Sequence, residues 1–176
     1  MSKGVFLDRD GVLNKVIFRE GNYQKPIAPW NLEEFKLIPS TKKPLHNLKK
    51  EGYLLFVITN QPDIAKGIID YDIVHAMNEI IINELPIDDI KVCHHLDNDQ
   101  CMCRKPKPGM ITDLSKKWDI DCKESFLIGD SWKDIEAGKS AGSQTILLDR
   151  TYNREVKAEY RINDLGKAVE LIHTFS

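Results

Sequence analysis

The chain has 176 residues, of which 41% are hydrophobic and 30% charged, and its formal net charge at pH 7 is −2. This length and composition predict one globular domain, residues 1–176, with a core of its own. The slightly acidic balance provides no basic surface for nucleic acid, and no apolar run approaches the roughly 20 residues of a membrane-spanning helix. Because Met1 to Gly4 do not resemble a signal peptide, we expect a cytoplasmic protein that binds neither nucleic acid nor membranes.

The first predicted strand, residues 5–7, runs directly into Asp8, and Asp10 follows two positions later. Residues i and i+2 of an extended chain project to the same side, so both carboxylates are expected to point beyond one sheet edge. Such a pair repels itself unless a cation lies between the two groups or one stays protonated. The pattern favours a nucleophile and an acid/base beside Mg²⁺, which prefers oxygen ligands. An Asp-rich turn after a strand is the alternative.

A long polar connection follows, from Lys15 to Pro39, in which aromatic and charged residues alternate, among them Phe18, Arg19, Tyr23 and Trp30. Loops of this length are usually functional or poorly ordered. The segment is therefore either a surface loop or a wall of the active site.

Helices and strands alternate along the rest of the chain. Capping residues and apolar spacing predict helices at 40–51, 71–85 and 108–118, after Asp130 up to Ala141, and after Asp164. Apolar runs predict strands at 53–58, 89–93, 125–128, 145–148 and 160–162. This order predicts an α/β fold with a central parallel sheet covered on both faces. Ligands of such folds lie beyond the C-terminal ends of the strands.

Polar residues follow three of these strands at that edge. Asp130 follows an apolar strand, as Asp8 does, and could complete a metal site. Asp134 lies one helical turn further and would approach Asp130. Thr59 ends another strand and could donate its hydroxyl to a phosphate oxygen. The alternatives are a helix cap formed by Asp130 or Ser131, and a strand-end threonine without a functional role.

Soft metal ligands are concentrated in one loop. Three thiols and an imidazole lie within eleven positions, namely Cys93, His95, Cys101 and Cys103, with His94 as the other possible imidazole. Three thiolates and one imidazole form a tetrahedral zinc site without an open position, so we expect a structural zinc. Free thiols with surface histidines are the alternative. Cys122 stands apart from the group.

Two basic residues, Arg104 and Lys105, follow this cluster directly. Their donors could hold an anionic substrate, and a structural zinc would fix them beside the other metal. A solvated basic loop between prolines is the alternative.

Together the motifs D-x-D-G-V, T-N-Q, R-K-P-x-P-G and G-D-x-x-x-D resemble the haloacid dehalogenase (HAD) superfamily of phosphatases. With the zinc loop, they resemble the D-glycero-D-manno-heptose-1,7-bisphosphate 7-phosphatase family, which is close to the histidinol-phosphatases. The resemblance covers nearly the whole chain. It implies a three-layer, HAD-like Rossmannoid fold without a cap domain. It also implies a Mg²⁺-dependent phosphomonoesterase of nucleotide-activated heptose biosynthesis, which supplies lipopolysaccharide or S-layer glycan precursors.

The resemblance also implies roles for individual residues. Asp8 matches the nucleophile, which forms an aspartyl-phosphate, and Asp10 matches the general acid/base. The Mg²⁺ ligands match Asp8, the main-chain carbonyl of Asp10, and Asp130, and Asp134 is a candidate for a supporting position behind them. Thr59 and Lys105 match the groups that stabilise the transferring phosphoryl.

Substrate and zinc residues follow from the same resemblance. Asn60 and Gln61 match the loop that lines the pocket, and Arg104 matches a substrate-recognition position. The zinc ligands match Cys93, His95, Cys101 and Cys103, which favours His95 over His94.

Two departures from the family pattern leave the sugar and its anomer open. The Lys15–Pro39 loop is longer than expected, and Ser131 stands where some members have a lysine. A histidinol-phosphate phosphatase, a polynucleotide 3'-phosphatase and a non-catalytic, zinc-stabilised phosphate-binding module remain as alternatives. No feature requires an oligomer, so we expect a monomer that acts on a small phosphorylated sugar.

Overall fold

A computed structural model describes residues 1–20 and 25–175, and within these ranges six parallel strands form one sheet. The strands are β1 (Gly4–Leu7), β2 (Leu54–Asn60), β3 (Asp89–Cys93), β4 (Phe126–Gly129), β5 (Gln144–Leu148) and β6 (Tyr160–Ile162). Their order across the sheet is β3-β2-β1-β4-β5-β6. The helices are α1 (Lys42–Lys50), α2 (Tyr71–Glu84), α3 (Gly109–Trp118), α4 (Trp132–Ala141) and α5 (Leu165–His173).

Helices cover both faces of the sheet, because the central strands are apolar on both sides. Alternate residues of β1 enter opposite cores: Val5 and Leu7 pack in the larger one, and Phe6 packs in the smaller one. Helices α1, α2 and α5 close the larger core, and α3 and α4 close the smaller one. A strand that is buried on both faces reads as a continuous apolar run, which is why the strands were recognisable. The predicted α/β class and three-layer architecture are confirmed.

Some element ends differ from the predictions. Strand β2 continues through Thr59 and Asn60, since parallel pairing with β3 extends to Cys93. Ser40 does not cap α1, because a short 3₁₀ helix, Pro39–Thr41, precedes it and places Thr41 at the cap position. Asp70 precedes α2, but its side chain accepts no capping hydrogen bond from the backbone of the helix. Gly142 ends α4 with a φ of 84°.

The loops beyond the C-terminal strand ends carry the predicted site residues. Part of the Lys15–Pro39 loop folds back on itself, since Ile17 and Ile27 exchange backbone hydrogen bonds of 2.9 and 3.0 Å. Trp30 fixes the loop to the segment after β2, because its indole nitrogen donates to Asp63 at 2.9 Å. Tyr23, which the sequence singled out, lies outside the described residues. Within the described ranges, no helix combines the length and the apolar character needed to cross a lipid bilayer.

Candidate active site

Asp8 and Asp10 line one cavity directly after β1. The strand ends at Leu7, so a turn, rather than the alternation of an extended strand, places both residues at this cavity. The amide of Asp8 donates to the carbonyl of Ile128 at 3.0 Å, which fixes the start of this turn to β4. Gly11 allows the chain to leave, with a φ of 86° that favours glycine.

A buried ion-pair cluster surrounds Asp8. The ammonium of Lys105 lies 2.8 Å from Oδ1 of Asp8 and 2.6 Å from Oδ1 of Asp134. It also donates to the carbonyl of Ile58 at 2.9 Å. Burial acts to lower the pKa of Lys105, but the carboxylates of Asp134 and Asp8 outweigh it and raise that pKa. Burial and the Asp134 carboxylate raise the pKa of Asp8 well above its ordinary value, so one lysine does not balance the local negative charge.

Asp130 adds a third carboxylate at the end of β4. Burial and the neighbouring Asp134 raise its pKa to about 7. The hydroxyl of Tyr152 donates to Oδ2 of Asp130, and Asn153 donates to the Asp130 carbonyl at 2.7 Å. The first bond fixes the carboxylate of Asp130 and the second fixes its backbone, with a carboxylate oxygen within 4.8 Å of one of Asp8.

The carboxylates of Asp8, Asp130 and Asp134 form a group whose oxygens lie within 4.8 Å of one another. Such a group fits a hard divalent cation, which would offset the repulsion between the carboxylates. Both oxygens of Asp134 already have partners: Oδ1 accepts from Lys105, and Oδ2 accepts from the backbone and hydroxyl of Ser131. Asp134 is thus placed behind the site. Together with Ser131 it forms the cap at the N-terminus of α4. A Cβ at Gly11 would lie 1.9 Å from Oδ2 of Asp130, so only glycine leaves room for the Asp130 carboxylate at this position.

The residues that end β2 are held by hydrogen bonds within the protein. The amide of Asn60 makes two bonds with the backbone of Lys105, at 3.0 and 3.1 Å. The amide of Gln61 donates to Oδ2 of Asp10 at 2.7 Å and to the hydroxyl of Thr59 at 2.8 Å. Asn60 and Gln61 line the cavity, whereas Thr59 is buried behind Gln61. Their predicted contacts with the substrate remain predictions.

The cavity has a volume of about 400 Å³ and is strongly charged. Its walls include Asp8 and Asp10 after β1, Lys105, and Asp130 after β4, and Asn60 and Gln61 add the end of β2, so the four segments expected at this edge all reach it, although Thr59 itself does not line the cavity. Residues of the Lys15–Pro39 loop, among them Val16 and Ile27, form one wall of the cavity. Of the two interpretations of that loop, the structure thus agrees with a wall of the active site. Four further cations line it: Lys25, Lys66, Arg104 and Lys133. Arg104 is anchored by Asp97, whose Oδ1 lies 2.6 Å from the Arg104 Nε.

The predicted zinc ligands also meet. One ligand atom of each of Cys93, His95, Cys101 and Cys103 lies within 4.8 Å of the others. The ring Nδ1 of His95 lies 3.2 Å from the sulfur of Cys103 and 3.6 Å from that of Cys93. His94 stacks on His95 with ring centroids 4.6 Å apart and is outside the cluster. The backbone amide of Gln61 donates to the Cys93 carbonyl at 2.7 Å, which ties this cluster to the end of β2.

Several residues of the site were not predicted. Arg9 and Asn14 are fully buried beside Asp10, and Tyr152 and Asn153 hold Asp130. For Asn14, the spacing of four residues from Asp10 offered a weak signal. Tyr152 lies 22 positions from its partner, so no local pattern could indicate the contact.

Comparisons with known proteins agree with this geometry. The family model described as HAD-hydrolase-like matches residues 102–167. The chain is 38% identical over 149 residues to a D-glycero-beta-D-manno-heptose-1,7-bisphosphate 7-phosphatase of Rhodopseudomonas palustris, with 78% of each chain covered. It is 37% identical over 161 residues to a D-glycero-alpha-D-manno-heptose-1,7-bisphosphate 7-phosphatase of Photorhabdus laumondii, covering 85% of this chain and 83% of that one.

A solved structure shows the same fold. The D,D-heptose 1,7-bisphosphate phosphatase of B. bronchiseptica, in complex with magnesium and phosphate, matches with a TM-score of 0.83. The two chains are 25% identical, and the match covers 99% of each. The HAD-like character expected from the sequence motifs is therefore confirmed.

Proposed function

Because the chain belongs to the D-glycero-D-manno-heptose-1,7-bisphosphate 7-phosphatase family and is a phosphatase, we propose that it removes the 7-phosphate of that sugar through an aspartyl-phosphate on Asp8. The observation that carries the proposal is the common cavity of Asp8, Asp10, Lys105 and Asp130 at the C-terminal edge of the sheet. A nucleophile, a proton donor and a buried cation thus face one space.

Two half-reactions follow from these positions. A carboxylate oxygen of Asp8 attacks phosphorus, the bond between phosphorus and the sugar oxygen breaks, and Asp10 gives its proton to that oxygen. Asp10 then takes a proton from water, whose oxygen attacks the phosphorus of the aspartyl-phosphate and releases inorganic phosphate. The net reaction consumes one water molecule and restores both carboxyl groups. Lys105 stabilises the charge on the phosphoryl oxygens, because its ammonium lies beside Asp8.

Asp8, Asp130 and the carbonyl of Asp10 are the groups that would hold Mg²⁺. When bound, this ion supplies positive charge to the phosphoryl oxygens and to the crowded carboxylates. Asp134 supports the site from behind, since its two oxygens bind Lys105 and Ser131.

The additional cations favour a substrate with more than one phosphate. Lys25, Lys66, Arg104 and Lys133 line the cavity, beyond the lysine that contacts Asp8. Asp97 and Asp63 hold two of them, since Asp97 pairs with Arg104 and Asp63 with Lys66 at 2.8 Å. We further propose that the chain acts as a monomer with a single domain, in which the zinc loop and the Lys15–Pro39 loop shape the pocket in place of a cap.

A substrate panel tests this function. With Mg²⁺ present, we expect phosphate release from the α- or β-anomer of heptose 1,7-bisphosphate with a kcat/KM at least about 100-fold above that for histidinol phosphate. Phosphorus NMR should show that the anomeric phosphate remains on the sugar. Equal or faster hydrolysis of histidinol phosphate or of a 3'-phosphorylated oligonucleotide would contradict the assignment.

We also propose that Cys93, His95, Cys101 and Cys103 hold a structural zinc. Their donor set supports this, because three sulfurs and one imidazole nitrogen match a closed tetrahedral site. The segment they enclose is polar and has only a short 3₁₀ helix, Asp97–Asp99. Metal binding would therefore supply the stability that this loop lacks in core contacts.

Loss of zinc is expected to disorder residues 93–105 and to raise KM about tenfold or more, because Arg104 and Lys105 lie in this segment. Cys101→Ser should lower the zinc content measured by atomic emission and increase hydrogen exchange in the segment. Cys122→Ser is the matched control, since Cys122 contacts Ser115 and is outside the cluster. Unchanged zinc content and kinetics in Cys101→Ser would refute the structural zinc.

A further inference from the structure

The general acid/base Asp10 is surrounded by nitrogen donors. Its Oδ1 accepts from Nδ2 of Asn14 at 2.9 Å, and its Oδ2 accepts from Nε2 of Gln61 at 2.7 Å. Nη2 of Arg9 is shared between both oxygens, 3.2 Å from each. Four hydrogen bonds from three side chains thus hold one carboxyl group. We call Arg9, Asn14 and Gln61 the Asp10 clamp.

The clamp is inaccessible to solvent. Arg9 and Asn14 are 0% exposed, and Gln61 is 1% exposed, whereas the Asp10 side chain retains 15%. Burying a guanidinium is unfavourable unless a charged partner compensates for the lost hydration. Among the described residues, Asp10 is the one carboxylate that pairs with Arg9. The guanidinium also donates to Asn78 at 3.2 Å and lies over the ring of Phe35, and neither of these partners is charged. Asp10 is therefore the group that compensates for the burial of the Arg9 guanidinium.

The donors also come from two separate parts of the sheet edge. Arg9 and Asn14 belong to the turn after β1, and Gln61 follows β2. Arg9 and Asn14 do not line the cavity, so they do not reach the substrate. Among the described residues, the side chains of Arg9 and Asn14 contact the reacting carboxylates at Asp10 alone, whereas the Arg9 contact with Asp8 is made by its backbone amide, which a side-chain substitution retains.

We infer that the Asp10 clamp positions the carboxyl group of Asp10 for proton transfer to the leaving oxygen, which makes Arg9 and Asn14 positioning residues of the phosphatase. The inference rests on the proposed function. Proton transfer requires the carboxyl oxygen within hydrogen-bond reach of the sugar oxygen, and small displacements slow it strongly.

Two substrates whose leaving groups differ in their need for a proton can test the positioning role of the clamp. An alkoxide from a sugar phosphate needs a proton as it departs, whereas 4-nitrophenolate departs readily without one. The ratio kcat/KM covers the steps up to formation of the aspartyl-phosphate, so it isolates the role of Asp10 as an acid. Asn14→Ala should therefore lower kcat/KM for the sugar bisphosphate by about 30- to 100-fold, but for 4-nitrophenyl phosphate by less than about threefold.

Arg9→Met is the second variant, since it removes the guanidinium with a side chain of similar length, and it should show the same contrast between the two esters. The matched control is Thr41→Ala, which removes a buried hydroxyl bonded to the Ile38 carbonyl outside the cavity and should leave the ratio of the two esters unchanged. If both clamp variants lose equal activity on both esters, or lose none, the clamp does not position Asp10. If the wild-type protein cleaves no phosphate ester, the proposed function itself fails.

Discussion

Asp8→Asn is expected to lower phosphatase turnover by about four orders of magnitude or more while leaving the fold intact. The amide is nearly isosteric with the carboxylate but cannot attack phosphorus, so no aspartyl-phosphate forms. Lys105 keeps its bonds to Asp134 and to the Ile58 carbonyl, which preserve the local structure. Phosphate release under saturating substrate measures the loss.

The stability of this variant provides an independent check. The raised pKa of Asp8 means that its charge is unfavourable in the crowded folded site. In buffer without added Mg²⁺, Asp8→Asn should therefore have an unfolding free energy equal to or above that of the wild type, measured by urea denaturation. Asp89→Asn is the control for activity, since Asp89 begins β3 and pairs with the exposed Lys117. Near-normal turnover in Asp8→Asn would exclude Asp8 as the nucleophile.

The central sheet was predictable because its strands are buried on both faces. Tyr53 to Ile58 is a continuous apolar run, and the strand it predicts begins one residue late, at Leu54, and ends two residues late, since the polar Thr59 and Asn60 extend it by pairing with β3. A pairing partner that lies 33 residues away leaves no mark in the local sequence. The convergence of Asp8 and Asp130, in contrast, was predictable from local sequence. Both residues follow apolar runs, and the C-terminal ends of parallel strands lie at one edge of the sheet.

Residues that act through other residues were harder to find. Alternation along an extended chain would direct Arg9 away from Asp8 and Asp10. The strand in fact ends at Leu7, and the turn brings the Arg9 guanidinium back onto Asp10. The contact of Tyr152 with Asp130 joins two loops across the sheet edge. Neither contact follows from composition or spacing, because each depends on how the turns close in three dimensions.

The zinc cluster was the clearest local signal. Four soft ligands within eleven positions can meet without any knowledge of the distant fold, since a single loop brings them together. The motif predicted a connection to the active site through Arg104 and Lys105, but it gave no sign of a second connection through the end of β2. Asn60 and Gln61 make that connection, the first through the Lys105 backbone and the second through the Cys93 carbonyl and Asp10. The loop and the reaction centre are therefore mechanically linked.

Lys105→Met is expected to impair both stability and catalysis, because one ammonium serves both. The lysine is 3% exposed and lies between Asp8 and Asp134, of which Asp134 is fully buried. Without this ammonium the two carboxylates lose their cation, and we expect a destabilisation of about 3–5 kcal/mol in buffer without added Mg²⁺. Loss of its stabilising charge at the phosphoryl group should lower kcat by about 100- to 1,000-fold. Urea denaturation and steady-state kinetics measure the two effects.

A double-mutant cycle separates the ion pair from the lost packing of the lysine. Asp134→Asn retains an oxygen for the Ser131 amide but removes the buried charge, so the double variant Lys105→Met/Asp134→Asn should be at least about 1 kcal/mol more stable than the sum of the single effects predicts. Lys117→Met is the matched control, because it breaks a surface ion pair with Asp89 and should change stability by only about 0–1 kcal/mol. Additive single effects would show that Lys105 and Asp134 are energetically independent. The buried ammonium would then act through its ion pair with Asp8 and on the phosphoryl group, and Asp134 would not contribute to its stabilising effect.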